Sequence, residues 1–334
     1  MSQTSRRAAA RAHANIALVK YWGKRDSKLN LPAVGSLSIT LDQLTTETEV
    51  VFDAQLDGDE VWLNQQREAG TTRKVSATLD LLRAAAECSM PARVSSTNNF
   101  PTAAGLASSA SGFAALVTAA AAALELDVDQ SRLSEWARRG SGSAARSIFG
   151  GFVEMAHGEL ADGSDAIATP LYPAEHWPLQ VVIAITSKAS KKLGSTDGMD
   201  LTMRNSPYYD AWVAGAEADL ATASRAVAKR NFEALAEVSE WSCLKMHASA
   251  LAAVPGVLYW NPATVAGIHR IRELRAAGVP VFFTIDAGPQ LKAVCEADAV
   301  AAVSAALSDL PGVEELIVCG LGGAAQVIGS SDGC

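Results

Sequence analysis

Residues 98–112 form a run of small side chains that leads into an alanine-rich stretch at 113–124. The run reads NNFPTAAGLASSASG, and the stretch after it predicts a helix. Small residues let backbone N–H groups approach an anion closely, and the amino end of a helix adds free amides and a positive dipole. Because Gly-Lys-Ser/Thr and G-x-G-x-x-G are both missing, the run is neither a Walker A loop nor a dinucleotide fingerprint. It predicts a phosphate-binding loop, or alternatively a plain loop whose helix is capped by Ser108 or Ser109.

Charge and length limit the classes of protein to consider. The 334 residues favour two domains, and the net charge of −8 argues against a nucleic-acid or anionic-membrane partner. An anionic ligand must therefore be met by a local cluster of cations. No apolar run reaches transmembrane length, and the arginines near the amino terminus have no apolar segment after them, so we expect neither a membrane span nor a secretory signal.

The cysteines and histidines predict no metal or disulfide framework. The five cysteines are scattered without a C-x-x-C pair, which suits a reducing cytoplasm. The five histidines are dispersed as well, so each is interpreted as structural or surface. We therefore expect a cytoplasmic location.

Strand and helix patterns interleave along the chain, which predicts an α/β fold. Alternation at 36–41 indicates a strand, and 46–52 with 60–63 predicts a hairpin around Asp57-Gly58. A strand at 315–319 is expected to be the last. A polar, lysine-rich segment at 187–196 is interpreted as the domain boundary, giving domains 1–186 and 187–334.

Three further clusters are candidates for chemistry. Residues 15–25 (NIALVKYWGKR) are an apolar strand ending in cations, suited to a polyanion or alternatively a solvated edge. Residues 140–147 (GSGSAARS) combine hydroxyls with an arginine that can grip a carboxylate or phosphate, or else start a serine-capped helix. Asp286 follows the buried strand 281–285, as an active-site carboxylate or as a turn and helix cap.

Taken together, these segments resemble the mevalonate diphosphate decarboxylases of the GHMP kinase superfamily. The resemblance rests on NIALVKYWGKR, NNFPTAAGLASSASG, RRGSGSAARSIFGG, STDGM and TIDAGP, together with residues 28–41, in the family's order over almost the whole chain. Two positions depart from the family pattern: Ala14, where Pro is usual, and Gln290, where Asn is frequent. The change to Gln290 is expected to alter the shape near the site.

The resemblance implies a two-domain GHMP kinase fold, with a ribosomal-protein-S5-like amino-terminal domain, a ferredoxin-like carboxy-terminal domain and a site in the cleft between them. It also implies the reaction of ATP with mevalonate 5-diphosphate to give isopentenyl diphosphate, carbon dioxide, ADP and phosphate. That reaction belongs to the mevalonate route to isoprenoids and sterols. A tertiary alcohol is a poor leaving group, and phosphorylating it makes a good one.

Residue roles follow from the same resemblance. Asp286 would be the general base or orienting group for the hydroxyl, Lys20 would keep it ionised, and Arg146 would clamp the substrate carboxylate. Asn15 would support Lys20 or Asp286 by hydrogen bonding. Around the substrate the resemblance places Asn15, Tyr21, Trp22, Gly23, Lys24, Arg73, Ser141, Gly142, Ser143, Arg146, Ser195 and Thr196.

The nucleotide is ATP, and the resemblance assigns it to the loop and the strand before it. The implied residues are Ser96, Asn98, Pro101, Ala104, Gly105, Leu106, Ala107, Ser108 and Ser109, with Ser109 also catalytic. Mg²⁺ would be held largely by nucleotide oxygens, with Ser109 as a further ligand, because the sequence shows no carboxylate cage. We also expect a homodimer.

Two other functions compete with this one. A superfamily relative could act on mevalonate 5-phosphate or mevalonate, either as a decarboxylase or as a kinase that only phosphorylates the 3-hydroxyl. A kinase-only relative would lack part of the set Asp286, Lys20 and Arg146, all of which are present. A catalytically dead sensor or scaffold is the third possibility, and the retained charged groups argue against it.

Overall fold

Two large β-sheets, a short two-stranded one and the helices packed on them make up the part of the chain that the structure describes. The computed structural model describes residues 5–100, 106, 108–189 and 191–330. The strands are β1 Ser5–Val19, β2 Lys24–Asp26, β3 Leu31–Pro32, β4 Ser36–Asp53, β5 Glu60–Leu63, β6 Gln66–Arg67, β7 Ala92–Asn98, β8 Phe152–Met155, β9 Ala168–Tyr172, β10 Gln180–Ile185, β11 Val281–Thr284, β12 Leu291–Cys295, β13 Glu315–Cys319 and β14 Gln326–Ser330. The helices are α1 Ala69–Ala85, α2 Ser108–Ala123, α3 Gln130–Gly140, α4 Ser195–Asn205, α5 Tyr209–Lys229, α6 Phe232–Leu251, α7 Pro262–Ala276 and α8 Val300–Ser308.

The first sheet is built on two long strands. Its order is β14-β1-β4-β7-β5-β6, with β8 paired to β4 and β9 paired to β8. The second sheet has the order β11-β12-β10-β13, and all its pairings are antiparallel. A short pairing of β2 with β3 follows β1 directly.

The long strands β1 and β4 pass from a half-buried to a fully buried environment. In β1 every second residue is buried from Ala8 to His13, whereas residues 14–19 are all buried. In β4 the order is reversed, since residues 36–41 are all buried and alternation follows. One core joins these buried ends to the second sheet, with Leu18 and Ile39 in the same cluster as Phe282. Lys20 therefore emerges where the two sheets meet.

The predicted hairpin between residues 46–52 and 60–63 is wrong, although both strands exist. β7 lies between them: β4 pairs with β7 antiparallel, and β5 pairs with β7 parallel, with Val61 opposite Val94. The alternating pattern identified each strand correctly, but both edges of β4 are taken, by β1 and β7. Consequently β5 can pair only on the far side of β7.

The expectation that 315–319 is the last strand is also wrong. β14 follows and returns to the first sheet, pairing antiparallel with β1. Its sequence has only two large apolar residues, Val327 and Ile328, so it depends on the open edge of β1 rather than on a pattern of its own. The domain division at residue 186 stays a prediction, and sheet membership differs from it at two places: β10 pairs with β12 and β13 of the second sheet, and β14 joins the first.

Helices pack against both sheets. A core cluster under α1, α2 and α3 includes Leu79, Leu116 and Trp136, and another under α7 and α8 includes Ile271 and Val303. Among the residues described, no helix is both long enough and apolar enough to cross a membrane.

Candidate active site

A cavity of about 370 Å³ opens where β1 ends. The end of β1, the start of α2, the 3-10 turn at 142–148, the start of α4 and the loop after β11 all contribute to it. It brings together most of the predicted site residues, namely Asn15, Lys20, Tyr21, Trp22, Lys24, Ser108, Ser109, Ser141, Gly142, Ser143, Arg146, Ser195, Thr196 and Asp286. Segments that are far apart in sequence therefore form one site.

The charges on this cavity are strongly unbalanced. Among the described residues that line it, the cations are Lys20, Lys24, Lys74, Arg146 and Lys191, whereas Asp286 is the single carboxylate. The chain as a whole carries a net charge of −8, so this concentration of cations is local. Such a surface favours a polyanionic ligand.

Lys20 and Asp286 form the centre of the site. The Lys20 ammonium donates to Asp286 Oδ1 at 2.7 Å and to the Ala17 carbonyl at 2.8 Å. Lys20 is almost completely buried, whereas the Asp286 side chain remains 23% exposed. The Asp286 carboxylate therefore faces the cavity, while the buried Lys20 ammonium holds one of its oxygens in place.

A second cation, Lys292 on β12, contacts the same carboxylate. Its Nζ lies 3.4 Å from Asp286 Oδ2, and the residue is fully buried. Lys292 was not predicted as a site residue because residues 291–295 match an apolar strand. A lone lysine inside such a strand is itself informative, since lysine is almost never fully buried without a partner.

Burial and the two cations act on Asp286 in opposite directions. Burial would raise the pKa of its carboxyl group, but the charges and hydrogen bonds of Lys20 and Lys292 outweigh that effect and hold the pKa below its usual range. Asp286 is therefore ionised at neutral pH. The direction agrees with the one expected from Lys20 alone.

Helix α6 fixes both members of the Lys20–Asp286 pair. The Ser242 hydroxyl accepts from the Lys20 backbone N–H at 3.0 Å. The backbone of Ile285, the residue before Asp286, donates its N–H to Cys243 Sγ at 3.3 Å, and its carbonyl accepts from His247 Nε2 at 3.1 Å. Burial lowers the pKa of His247 to about 3, so its imidazole is neutral. His247 is structural, as expected.

Arg146 presents an unpaired charge to the cavity. Its Nη1 donates to Ser36 Oγ at 2.6 Å and its Nη2 to Asn15 Oδ1 at 3.3 Å, while Nε has no partner among the described residues. Burial lowers its pKa to about 10, which still leaves the guanidinium charged at neutral pH. Because its partners are neutral, the charge is available to an anionic ligand.

Asn15 has a different role from the one expected. Its side-chain amide donates to the Ser143 carbonyl at 3.0 Å and to Ser147 Oγ at 2.7 Å, and its oxygen accepts from Arg146. The expected hydrogen bond to Lys20 or Asp286 is therefore wrong. In β1 successive side chains point to opposite faces, so Asn15 turns toward the 3-10 turn that carries Arg146.

Tyr21 packs against the 3-10 turn at 142–148. Its Oη is buried without a partner among the described residues, and a Cβ on Gly142 would lie 2.4 Å from it. Burial raises the pKa of Tyr21, so the phenol keeps its proton. Glycine is thus required at 142 for the approach, and the phenol is a hydrogen-bond donor without an acceptor.

One lysine of helix α1 lines the cavity in place of the arginine that was predicted there. Lys74 lines it, whereas the neighbouring Arg73 does not. Burial lowers the pKa of both Lys24 and Lys74. Arg73 and Lys74 are adjacent on α1, and the helix turn presents Lys74 to the cavity, which sequence spacing alone does not resolve.

Ser195 is tied to the loop that carries Asp286. Ser195 begins α4, and Lys191 Nζ donates to its hydroxyl at 2.8 Å and to the Ala287 carbonyl at 3.1 Å. Burial lowers the pKa of Lys191. Lys191, another cation that the sequence analysis did not single out, therefore links α4 to the centre of the site.

The predicted phosphate loop is only partly described. Pro101, Ala104, Gly105 and Ala107 lie outside the described residues. Ser108 begins α2, and Ser109 Oγ accepts from Ser141 Oγ at 3.2 Å.

Besides Arg73, four predicted ligand residues that the structure describes lie off the cavity lining. Leu106 packs in the core, Ser96 shares a hydrogen bond with Thr48 and Asn98 accepts from Thr46 Oγ1 at 2.6 Å. Gly23 has a φ of +99° and lies against Tyr209, with which a Cβ at 23 would collide. These contacts give the four residues structural roles, and their roles toward a ligand stay predictions.

Both halves of the chain match families of one kind. Residues 12–168 match the model described as diphosphomevalonate decarboxylase-like N-terminal domain, and residues 181–317 match the mevalonate 5-diphosphate decarboxylase C-terminal domain. The diphosphomevalonate decarboxylase of Ganoderma lucidum is 41% identical over 84% of this chain and 76% of its own. That of Homo sapiens is 39% identical over 89% of this chain and 78% of its own.

Solved structures agree in fold. A structure of MDDEF with MVAPP, AMPPCP and magnesium has a TM-score of 0.90 at 40% identity, covering 97% of this chain and 99% of the other. Mevalonate diphosphate decarboxylase from Staphylococcus aureus has a TM-score of 0.92 at 37% identity, covering 98% and 100%. The expected two-domain α/β GHMP kinase fold is therefore confirmed, and the chain belongs to the diphosphomevalonate decarboxylase family.

Proposed function

We propose that the chain converts mevalonate 5-diphosphate and ATP to isopentenyl diphosphate, carbon dioxide, ADP and phosphate. The observation that carries this proposal concerns the described residues that line the cavity: one ionised carboxylate, Asp286, is set among five cations. The relatives at about 40% identity bear the name of this activity, and a solved relative holds MVAPP together with AMPPCP and magnesium.

The first step is transfer of the γ-phosphoryl group to the tertiary hydroxyl. The hydroxyl oxygen bonds to the γ-phosphorus while the bond from that phosphorus to the β,γ-bridging oxygen breaks and ADP leaves. Asp286 orients the hydroxyl and takes its proton late in the step, when the forming bond has made that proton acidic. Lys20, 2.7 Å from Asp286, stabilises charge on the transferring group.

The second step is the decarboxylation. The carbon–oxygen bond to the new phosphate breaks, and phosphate leaves with the bonding electrons. The electrons of the bond to the carboxylate form the carbon–carbon double bond, and carbon dioxide departs. Arg146, whose hydrogen-bond partners among the described residues are neutral, grips the carboxylate in the starting complex.

The donor groups suit ATP with Mg²⁺. Among the described residues no group of three or more His, Cys, Asp or Glu side chains is placed to hold a metal ion. The hydroxyls of Ser108 and Ser109 line the cavity at the start of α2. Oxygen donors of this kind fit Mg²⁺ that is held mainly by nucleotide phosphates, where it neutralises phosphate charge. Ser109 would be the protein's contribution.

The alternative substrates are not favoured. A decarboxylase or 3-kinase acting on mevalonate 5-phosphate or mevalonate would need fewer cations at the diphosphate end, where Lys24 and Lys74 lie. The mevalonate diphosphate decarboxylase of Enterococcus faecalis, 39% identical with a TM-score of 0.88, is described with ATP binding mediated by mevalonate diphosphate.

We also propose a cytoplasmic homodimer that serves isoprenoid and sterol synthesis. The described cysteines, Cys88, Cys243, Cys295 and Cys319, are free thiols, which fits a reducing compartment. Exposed apolar side chains such as Val254 (73%) and Leu258 (65%) would supply contact surface for a second copy. Light scattering on the purified chain tests the dimer.

One assay separates the candidate activities. ADP and carbon dioxide are measured together with mevalonate 5-diphosphate, mevalonate 5-phosphate and mevalonate as substrates. The proposal requires equal amounts of both products and a preference for the diphosphate. ADP without carbon dioxide would mean a 3-kinase, and a preference for the monophosphate would move the chain to the other decarboxylase class.

A further inference from the structure

Asp286 is held by a cation on each carboxylate oxygen, and only one of these cations lines the cavity. Lys20 contacts Oδ1 and reaches the cavity, whereas Lys292 contacts Oδ2 from the interior of the second sheet. Lys292 lies on β12, a central strand, opposite Ile183 on one side and Thr284 on the other. Directly opposite residues share a face of the sheet, so the Lys292 side chain lies on the face that carries Ile183 and Thr284, where its ammonium is 3.4 Å from Asp286 Oδ2.

Burying the Lys292 ammonium close to Lys20 costs free energy of folding. A buried ammonium loses its hydration, and Lys20 lies near enough to repel Lys292. Burial and Lys20 indeed lower the pKa of Lys292, against the opposing effect of Asp286. Without Lys292, Lys20 and Asp286 would form a neutral pair. With it, the three side chains carry a net positive charge beside the place that a polyanion occupies.

We propose that Lys292 is a positioning residue for phosphoryl transfer: it fixes Oδ2 of Asp286 so that the carboxylate stays ionised and keeps one orientation toward the substrate hydroxyl. This inference rests on the proposed function. Asp286 has only its side-chain torsions to set its direction, and Lys20 alone fixes one oxygen. A second anchor on the other oxygen fixes the plane of the carboxylate as well.

No other charged or titratable group among the described residues forms an ion pair with Asp286 Oδ2. Arg146 and Lys191 interact with Asp286 electrostatically, but neither forms an ion pair within 4.0 Å with it among the described residues. Cys243 and His247 hold the backbone of Ile285 and not the carboxylate, and His247 is neutral. Only Lys20 and Lys292, of the described cations, pair with it directly.

The test is a double-mutant cycle on the full-length protein. Lys292→Met removes the charge and keeps most of the volume. We expect kcat for ADP release to fall about tenfold to thousandfold, with KM for both substrates changed less than about threefold. In the Asp286→Asn background the same change should cost nothing further, because the carboxylate through which Lys292 acts is gone.

Two readouts distinguish positioning from mere stability. With one cation removed and burial unchanged, the acid limb of kcat should move to higher pH by about 1–3 units in Lys292→Met. Lys292→Arg, which keeps the charge, should restore part of the rate. Lys245→Met is the matched control. Lys245 Nζ lies 2.6 Å from Asp219 Oδ2, and neither residue lines the cavity, so this variant should leave kcat unchanged.

Several outcomes would overturn the proposal. Wild-type kcat in a folded Lys292→Met protein would do so, and so would an equal loss in the Asp286→Asn background or a loss matched by Lys245→Met. If the Met variant does not fold, Lys292→Gln takes its place in the same cycle. A wild-type protein that releases no ADP would overturn the proposed function itself, whereas an active wild type with an equally active Lys292 variant would overturn this inference alone.

Discussion

Lys20 and Asp286 are 266 residues apart in sequence, and their side chains meet at 2.7 Å. Lys20 follows the buried end of β1 in the first sheet, and Asp286 follows β11 in the second. Each sheet thus delivers one member of the pair at its edge. A change in the packing of the two sheets would separate the pair, which links the integrity of the core between them to catalysis.

Asp286→Asn should abolish both products together. The substitution keeps the shape of the side chain but removes the charge that orients the hydroxyl and accepts its proton. We expect ADP and carbon dioxide release to fall by about 10²–10⁴-fold, with little change in binding of ATP and substrate. Both products are measured in the same reaction, and binding is measured by calorimetry.

The pairing of the products decides the role of Asp286. Normal ADP release without carbon dioxide would assign Asp286 to the second step and contradict the mechanism. Asp298→Asn is the control, because Asp298 is an exposed carboxylate that does not line the cavity. That variant should behave as the wild type.

Arg146→Lys should lose activity strongly although the charge is kept. An ammonium is a point charge and cannot reproduce the two-pronged grip of a guanidinium, nor its hydrogen bonds to Ser36 and Asn15. The loss in transition-state binding should be about 2–4 kcal/mol, measured as kcat/KM. Near-normal turnover in a folded variant would remove Arg146 from the site.

Arg138→Lys provides the matched comparison for Arg146. Arg138 is equally buried, but it donates to the carbonyls of Leu29 at 2.7 Å and Gly163 at 3.0 Å, off the cavity lining. Its substitution should lower the melting temperature and leave kcat/KM nearly unchanged. A similar loss of kcat/KM in both variants would show that the Arg146 effect comes from general destabilisation.

Ser109→Ala should impair ATP use while leaving stability intact. Ser109 lies in the first turn of α2 and its hydroxyl accepts from Ser141, so the substitution removes a polar group from the cavity and adds a good helix former. We expect kcat/KM for ATP to fall about tenfold, which is the usual consequence of losing one hydrogen bond. A fully active but less heat-stable variant would instead identify Ser109 as a helix cap.

Acid should destabilise the protein partly through His247. Its pKa is about 3 in the folded chain, against an ordinary value of 6.5, so below pH 6.5 the unfolded state binds more protons than the folded state. The stability contribution is complete above pH 6.5 and falls by about 1.4 kcal/mol per pH unit below it, or about 2 kcal/mol at pH 5. Urea unfolding of wild type and His247→Gln between pH 8 and 5 measures this slope, which the variant should lack in part. Identical slopes would exclude His247 as a source of it.

The sequence identified the site better than it identified the topology. The runs around Lys20, Arg146 and Asp286 carry charge where an apolar strand or a small-residue turn ends, and such positions face a cleft in most α/β folds. Two parts of strand β4, at 36–41 and 46–52, were likewise evident from their alternation, although they join in one continuous strand. Local patterns of this kind record which residues are buried and which types are chemically active.

Local sequence patterns did not indicate which strands pair with one another. β5 looks the same whether its neighbour is β4 or β7, and β14 is too short and polar to indicate a place in the sheet. Asn15 points to Arg146 because of the register of β1 against β4, which is set by contacts along both strands.

The sequence by itself determined the family and singled out Asp286, Lys20 and Arg146 as candidate site residues, because these depend on residue type within short segments. The tertiary structure alone decided that Lys292, inside an apolar strand, faces Asp286, and that Lys74 rather than Arg73 reaches the cavity. Both depend on how two sheets and a helix are placed relative to one another. That placement is set by burial summed over many distant residues, and no single segment contains it.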